Sequence, residues 1–421
     1  MPEREKIAVI GCGVSGLTVA HVLQHKYEIT LFEKNDYLGG HTHTITITDG
    51  PDAGTHVDTG FIVCNDRTYP LFHKLLDQLG VKVRPSIMSF SYYDEKRGFH
   101  YSGGDINGLF AQRRNLFRPS FWRMLLDIRR FCKNGMADIE SNALPLETIG
   151  EYLRKYSYSR EFSEWYLFPM MAAIWSASPS ETAEFPAAAL LRFFRNHGLL
   201  SLRNRPNWQT VVGGSHAYVH AFAKQFKGTV KLSCPVRSVR RTENGIIVGT
   251  DGGDMVFDKA VIAAHADEAL KLLSDPSPEE VRLLRPWLYQ NNKTVLHTDT
   301  AVLPPSRRTW ASWNYVRERS DTTAGKVSVS YYMNCLQGLR TRRDYCVSLN
   351  RRRPVRSGSI IRELQYMHPA YSFESMDTQS ELASLNGVRQ TYFCGSYFGY
   401  GFHEDAVRSG VAVCKSLGVD L

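Results

Sequence analysis

The chain has 421 residues, too many for one simple core, so two domains are the starting expectation. Hydrophobic residues make up 43% and aromatics 12%, a composition that suits a soluble globular enzyme and excludes a disordered chain. The formal net charge of +9 fits nucleic acid, an anionic membrane surface or acidic substrates; no nucleic-acid motif accompanies it, so no nucleic-acid partner is expected.

The first 85 residues read as β-α-β followed by a second glycine element. The charged start, MPEREK, has no signal-peptide pattern and runs straight into Ile7 to Ile10, an apolar run typical of a buried parallel strand. That run meets Gly11, Gly13 and Gly16 in G-x-G-x-x-G spacing, and Leu17, Ala20, His21 and Leu23 then mark a helix. The first glycine permits a tight turn, the second lets backbone approach a pyrophosphate, and the third lets helix and strand pack closely. A second strand, Glu28 to Phe32, ends in Glu33, 17 residues after Gly16 and placed to accept from a ribose hydroxyl. Gly39-Gly40 can bring the chain past the same pyrophosphate. These residues point to a dinucleotide, with NAD and FAD both open. A strand at Thr42 to Thr48, the segment HVDTGF and a helix from Pro70 to Leu79, stopped by Gly80, complete this region.

From residue 86 the character changes. Phe90 to Tyr93 and Phe99 to Tyr101 read as a hairpin. Phe110 to Gly135 is rich in arginine and aromatics and helical by pattern, and helical segments at Glu147 to Tyr156, Arg160 to Ile174 and Phe185 to Gly198 extend it into a helical cap. Arg113, Arg114, Arg118, Arg123, Arg129, Arg130 and Lys133 interleave with Phe110, Phe117, Phe121, Trp122 and Phe131. Such a stretch suits peripheral contact with an anionic membrane; a solvated helical face over an ordinary core has the same pattern.

Residues 206–270 return to α/β character, with Val211-Val212-Gly213-Gly214-Ser215 opening a helix and strands at Val230 to Leu232, Val236 to Arg240, Gly245 to Thr250, Met255 to Phe257 and Val261 to Ala264. Strand-like segments at Thr294 to His297, Thr309 to Tyr315, Lys326 to Tyr332 and Tyr345 to Leu349 predict an antiparallel sheet. Thr391 to Cys394 is a last strand, and the chain closes with a helix over Glu404 to Leu417. The eight cysteines, at positions 12, 64, 132, 234, 335, 346, 394 and 414, show no C-x-x-C and no zinc spacing, so neither disulfides nor a metal is expected. No run of about 18 apolar residues exists, and a cytoplasmic protein is expected, peripheral at the inner face of the membrane if the basic cap docks there.

Three blocks in this order resemble FAD-dependent oxidoreductases of the amine oxidase and desaturase superfamily: G-x-G-x-x-G with Glu33 and Gly39-Gly40, V-x-G-G-S with Val236, and FCGSYFGYGFHEDAVRSG. LGGHTHT, DTGFIVCNDRTYP, NGLFAQRRNLFRPSFWRM, AAIWSASP, RFFRNHGLL, VVGGS and YFGYGFHED are similar to one bacterial group, often encoded beside cyclopropane-fatty-acid synthase and implicated in desaturating methylated acyl chains. The resemblance implies an α/β (mixed α+β) fold: a Rossmann-like FAD-binding domain (1–85, 206–270 and 385–421) interleaved with a substrate and cap domain (86–205 and 271–384) of antiparallel sheet and helices.

It also implies roles for residues. Gly11, Gly13, Gly16, Gly39 and Gly40 fall at the FAD pyrophosphate, Glu33 at the adenosine ribose, and Val236 at the adenine edge. The superfamily's Gly-Gly-Arg is Gly-Gly-His here, so His41 stands as a weaker, titratable partner. Gly395, Phe402, His403 and Glu404 fall at the flavin ring, where Glu404 and Asp405 equally suit plain helix capping. Lys293 occupies the place of a lysine bridged by water to flavin N5, or is an ordinary strand lysine; His403 and Tyr400 are candidates for proton transfer or for structural roles.

Phe402 stands where amine oxidases carry a tyrosine of an aromatic cage, and it suits an apolar acyl chain at least as well as an amine. The implied function is FAD-dependent dehydrogenation or desaturation of a methylated or unsaturated fatty acyl group, possible on a phospholipid, with a cyclopropane-fatty-acid synthase-type partner. Amine oxidation, double-bond isomerisation and a non-catalytic FAD-binding role are the alternatives.

Overall fold

The computed structural model describes residues 4–141, 147–175, 179–201, 205–319 and 328–421. A five-stranded sheet lies at its centre, in the order Thr229–Lys231, Glu28–Phe32, Lys6–Ile10, Lys259–Ile262, Thr391–Phe393, with every neighbouring pair parallel. Ile7, Ala8 and Val9 are fully buried because both faces of this sheet are covered, which explains an apolar run without alternation.

Five helices matter for the site. They are α1 (Val14–Leu23), α2 (Pro70–Leu79), α3 (Pro119–Glu140), α4 (Ala187–Asn196) and α5 (His403–Ser416). α1, α2 and α5 share a core on one face of the parallel sheet. A Cβ on Gly410 of α5 would come within 2.9 Å of the Ser15 carbonyl oxygen, so glycine there sets the close approach of α5 to α1. The other face is covered by the antiparallel strands Val236–Thr242, Gly245–Thr250 and Gly253–Phe257. α2 ends at Gly80 (φ 70°), as the sequence predicts.

A second sheet has seven strands, in the order Ile360–Ala370, Leu288–His297, Cys346–Leu349, Ser328–Tyr332, Trp313–Arg317, Phe90–Asp94, Phe99–Ser102. It is antiparallel apart from one parallel pair, Phe90–Asp94 with Trp313–Arg317. The strand expected at Thr309 begins later, at Trp313, because Arg307–Thr309 forms a 3-10 turn. The start of the strand expected at Lys326 lies outside the described residues. Ile360–Ala370 is the one long strand among the described residues that the sequence does not announce. It is an edge strand, polar along much of its length, and it tolerates Pro369 because an edge can lack an N–H.

Helices α3 and α4, with Ile149–Lys155 and a helical run from Arg160 to Trp175, form the cap over an aromatic core. Asp58, on a short strand outside both sheets, ties the segments that carry Ser215 and Gln337 together. Its carboxylate, fully buried, accepts from the Ser215 N–H and Oγ at 2.8 and 2.9 Å and from Gln337 Nε2 at 2.8 Å. This gives the V-V-G-G-S turn its purpose: Gly213 and Gly214 (φ 84° and 92°) aim Ser215 at Asp58. Burial holds the Asp58 carboxyl up at about 6, opposed by bonds from Thr44 and Ser215.

Candidate active site

Three backbone segments meet at the N-terminus of α1. Gly11 has φ 99°, and a Cβ there would lie 2.6 Å from the Ala263 carbonyl oxygen. Gly39 donates its N–H to the Cys12 carbonyl oxygen at 2.9 Å, and a Cβ on Gly40 would lie 3.1 Å from Gly13 Cα. Gly13 is the N-cap of α1 and has no side chain to cap it, while a Cβ built there meets nothing within 4 Å. The result is open space in front of an uncapped helix N-terminus, shaped for a negatively charged group. Gly16 closes the turn by packing against Gly11.

Glu33, 5% exposed, reaches into this cradle. Its carboxylate accepts from the Cys12 N–H at 3.0 Å and from the Asn35 N–H and Nδ2 at 3.0 and 2.8 Å. A carboxylate has about four acceptor positions, so capacity for a ligand hydroxyl is left. Ser233 and Cys234 donate to the Asn35 and Glu33 carbonyl oxygens, which carries the chain past Glu33 to half-buried Val236.

His41 follows Gly40 at the lip of the cradle. Its ring lies 5.8 Å from His265, 5.7 Å from His368 and 5.2 Å from Tyr366, and Nε2 meets the Met367 carbonyl oxygen at 3.1 Å. Burial, then the neighbouring histidines, push its pKa well below the usual value, and burial pushes His368 down to about 4. His41 is thus a neutral imidazole in this arrangement, not a cation.

The N-terminus of α5 forms the opposite wall. Its N-cap is Phe402, whose side chain cannot accept a hydrogen bond. Asp405 turns back on the preceding loop, accepting from the Tyr400 and Phe402 N–H groups at 2.9 and 3.0 Å. Gly395 is held by Ser409, whose hydroxyl accepts from its N–H at 2.9 Å. His403 stacks on Phe61 with centroids 3.7 Å apart, and its Nε2 lies 2.9 Å from the Tyr218 hydroxyl and 3.2 Å from Thr42 Oγ1. Burial holds its pKa down at about 3.

Two expected site residues lie elsewhere. Glu404, 2% exposed, is turned away to α2, where its oxygens accept from the Leu71 and Phe72 N–H groups at 3.1 and 2.9 Å. It caps a neighbouring helix, so its carboxylate is not offered to a cofactor. Lys293 has a side chain 62% exposed and pairs with Glu363 at 2.9 Å. A strand alternates its faces, and it is Asn292, fully buried and bonded to Asn350 at 2.7 Å, that points inward. The expectation of a buried lysine at the flavin is therefore corrected.

The sequence does not single out the residues that face Phe402. Phe193 of α4 stacks on it with centroids 4.9 Å apart and planes 23° apart, and His197 lies 5.4 Å away. Trp175 Nε1 donates to the Tyr400 carbonyl oxygen at 3.4 Å, and Tyr371 donates to that of Gly399 at 3.0 Å. Burial holds His197 down at about 4, so it too is neutral. The aromatic density of RFFRNHG is the signal that could have marked this wall.

Residues 14–347 match the family described as flavin containing amine oxidoreductase. The chain belongs to this family. A putative flavin-containing monoamine oxidase of Mycobacterium tuberculosis is 24% identical over 301 residues, 68% of this chain and 63% of the relative, so the chain spans less than two thirds of that protein. A 1-hydroxycarotenoid 3,4-desaturase of a Flavobacterium species is 34% identical over 98 residues, 23% of this chain and 18% of its own. The fold is similar to that of a CLA-producing fatty acid isomerase from P. acnes, with TM-score 0.70 and 13% identity over 99% of both chains. It is also similar to putrescine oxidase bound to putrescine, with TM-score 0.68 and 14% identity over 98% of both chains.

FAD is accordingly the cofactor of this chain, and the residues present fit it. The cradle of Gly11, Gly13, Gly39 and Gly40 has room and free helix N–H groups for the pyrophosphate. Glu33 keeps acceptor capacity for the ribose. The α5 N-terminus, uncapped by Phe402, offers backbone N–H groups. Among the described residues, no group of His, Cys, Asp or Glu could hold a metal ion.

Proposed function

We propose that the protein is an FAD-dependent oxidoreductase that removes hydrogen from a long apolar chain, a methylated or unsaturated fatty acyl group. One observation carries this reading: Phe402 is stacked on Phe193 in an aromatic wall with no carboxylate free to meet an ammonium group. The two nearby acids, Glu404 and Asp405, are both committed to backbone N–H groups. The charges that act on Tyr400 are those of Arg192, Asp405, Arg195 and Arg408; Asp405 is paired with Arg408 at 3.1 Å, so Arg192 and Arg195 leave a net positive balance that opposes a protonated amine and favours an acidic head group.

FAD, when bound, supplies a hydride acceptor. The chain's own residues then bind, orient and exclude water. Phe402 and Tyr371, both only partly buried, offer ring surface against methylene groups, each worth about 0.8 kcal/mol when buried, and buried Phe193 backs Phe402. The Tyr400 phenol is pushed up by burial and so keeps its proton, as a donor. His403, neutral and pinned between Phe61, Tyr218 and Thr42, holds the α5 N-terminus in place; a base at about 3 does not retain a substrate proton at neutral pH. The resemblance to proteins encoded beside cyclopropane-fatty-acid synthase supports the same substrate class and a partner of that type.

Mass spectrometry tests the reading. The FAD-loaded protein is incubated with methylated and unsaturated fatty acids and phospholipids, and with primary amines. Loss of a hydrogen pair from a lipid is the expected result. A lipid product of unchanged mass with a moved double bond would make the enzyme an isomerase, and turnover of amines alone would make it an amine oxidase.

A further inference from the structure

The cap carries a surface that the flavin site does not use. Ile106, Leu116, Phe117, Trp122 and Leu126 are 76%, 41%, 88%, 44% and 60% exposed, and all five fall within one short stretch of chain. The fold brings Leu116 and Trp122 together. Arg113–Phe117 is a 3-10 turn just before α3, and Trp122 Nε1 donates to the Leu116 carbonyl oxygen at 2.9 Å, laying the indole against that turn. Phe110 lies 5.7 Å from the same indole. Exposed apolar groups gathered this way mark a surface that something covers.

The charge around them is one-sided. On α3, Trp122, Leu126, Arg129 and Lys133 recur at helical spacing on the face opposite buried Phe121, Met124 and Phe131. Between residues 106 and 133 the sequence holds seven cations and one acid, Asp127. Asp127 is occupied by Arg130 at 2.6 Å and by the Ser159 N–H at 2.8 Å. Arg113 and Arg114 donate to the carbonyl oxygens of Phe110 and Gly98, contacts that leave their charges uncompensated. Among the described residues, Arg113, Arg114, Arg129 and Lys133 have no carboxylate partner.

We propose that this surface docks the protein on an anionic phospholipid bilayer, with Leu116, Phe117 and Trp122 entering the interface and Arg113, Arg114, Arg129 and Lys133 meeting the headgroups. A protruding aromatic tip ringed by cations matches the amphipathic boundary of such a bilayer. No helix among the described residues is long and apolar enough to cross a membrane, so the contact is peripheral. The surface is joined to the aromatic wall through the cap: Phe131 of α3 lies 6.3 Å from Phe194 of α4, the neighbour of Phe193. The docking stands on the exposed residues themselves and does not depend on the proposed substrate.

Co-sedimentation of the full, FAD-loaded chain with vesicles tests it, using phosphatidylcholine with and without phosphatidylglycerol. Binding to the anionic vesicles alone, reversed by salt, is expected. Phe117→Ser, at a position too exposed to disturb folding, is expected to weaken binding at low salt. Arg129→Gln with Lys133→Gln is expected to weaken it more than about tenfold, each cation being worth about fivefold. Absence of wild-type binding to anionic vesicles overturns the proposal, as does binding that neither variant changes. Capture of single-stranded nucleic acid or of another protein by this surface, with vesicles ignored, overturns it equally.

Discussion

Phe402 lies almost parallel to Phe193, with ring centroids 4.9 Å apart, and this contact joins the last helix of the cofactor-binding core to the cap. A stacked aromatic pair contributes about 0.5–1.5 kcal/mol beyond its buried area. Phe402→Ala is expected to raise KM for a long-chain substrate about tenfold, with kcat changed less, because about 1.4 kcal/mol of binding corresponds to a factor of ten. Steady-state kinetics checks this. Phe402→Tyr keeps the ring and is expected to retain lipid turnover, whereas a switch to amine turnover would place substrate choice in this one hydroxyl.

Glu404 sits in the first turn of α5 but acts on α2, by accepting from the Leu71 and Phe72 N–H groups. Glu404→Ala leaves those buried donors without a partner. The expected cost is about 1–3 kcal/mol of stability, seen as a lower Tm of the FAD-free protein. Flavin affinity, read by fluorescence quenching, is expected to change little at a temperature where the variant is folded. A large loss of flavin affinity with an unchanged Tm would return Glu404 to the cofactor.

Acid should destabilise the protein through its buried histidines. Burial depresses His41 and His265, holds His197 and His368 down at about 4, and holds His403 at about 3. Around His265 the charges of Glu268 and Asp267 oppose this and Lys34 adds to it. In the unfolded chain each imidazole titrates at about 6.5. Above that pH both states are neutral and the stability is full. As pH falls below it the unfolded chain takes up protons that the folded one refuses, so stability is lost toward about pH 4. Asp58, held up at about 6, and Glu404 and Asp405, raised by burial, act in the opposite direction but are outnumbered by these histidines. Thermal unfolding between pH 8 and 4, over roughly the range where histidine titrates, is expected to show a falling Tm, with a shallower fall in His403→Asn.

Lys293 is expected to be dispensable. Its pair with Glu363 is exposed on both sides and is worth about 0–1 kcal/mol. Lys293→Met should leave the rate of flavin reduction and the reaction with oxygen within about twofold, a negligible energy on this scale. Asn292→Ala, which removes a buried acceptor from Asn350, should cost more stability than Lys293→Met. A slow reaction with oxygen in Lys293→Met would contradict its surface placement.

These residues also show what a sequence can and cannot reveal. The Gly11, Gly13 and Gly16 cradle was readable because turn, helix start and strand lie within one short stretch, and Gly39-Gly40 repeats the same chemistry nearby. Glu404 was open between cofactor and capping because its partners sit on a helix more than 300 residues earlier. Lys293 was misplaced by one residue of strand parity, which turns a side chain from the inner to the outer face. Ile360–Ala370 was missed because an edge strand needs no clean alternation and can hold a proline near its end. The partners of Phe402 come from a cap helix whose sequence reads simply as amphipathic.

The central claim, oxidation of an apolar acyl chain at the Phe402 wall, is tested most directly by anaerobic flavin absorbance. The FAD-loaded protein is mixed without oxygen with methylated or unsaturated lipids, or with amines. Bleaching of the oxidised flavin band by lipid, lost in Phe402→Ala, is the predicted result. Bleaching by amines with none by any lipid would contradict it.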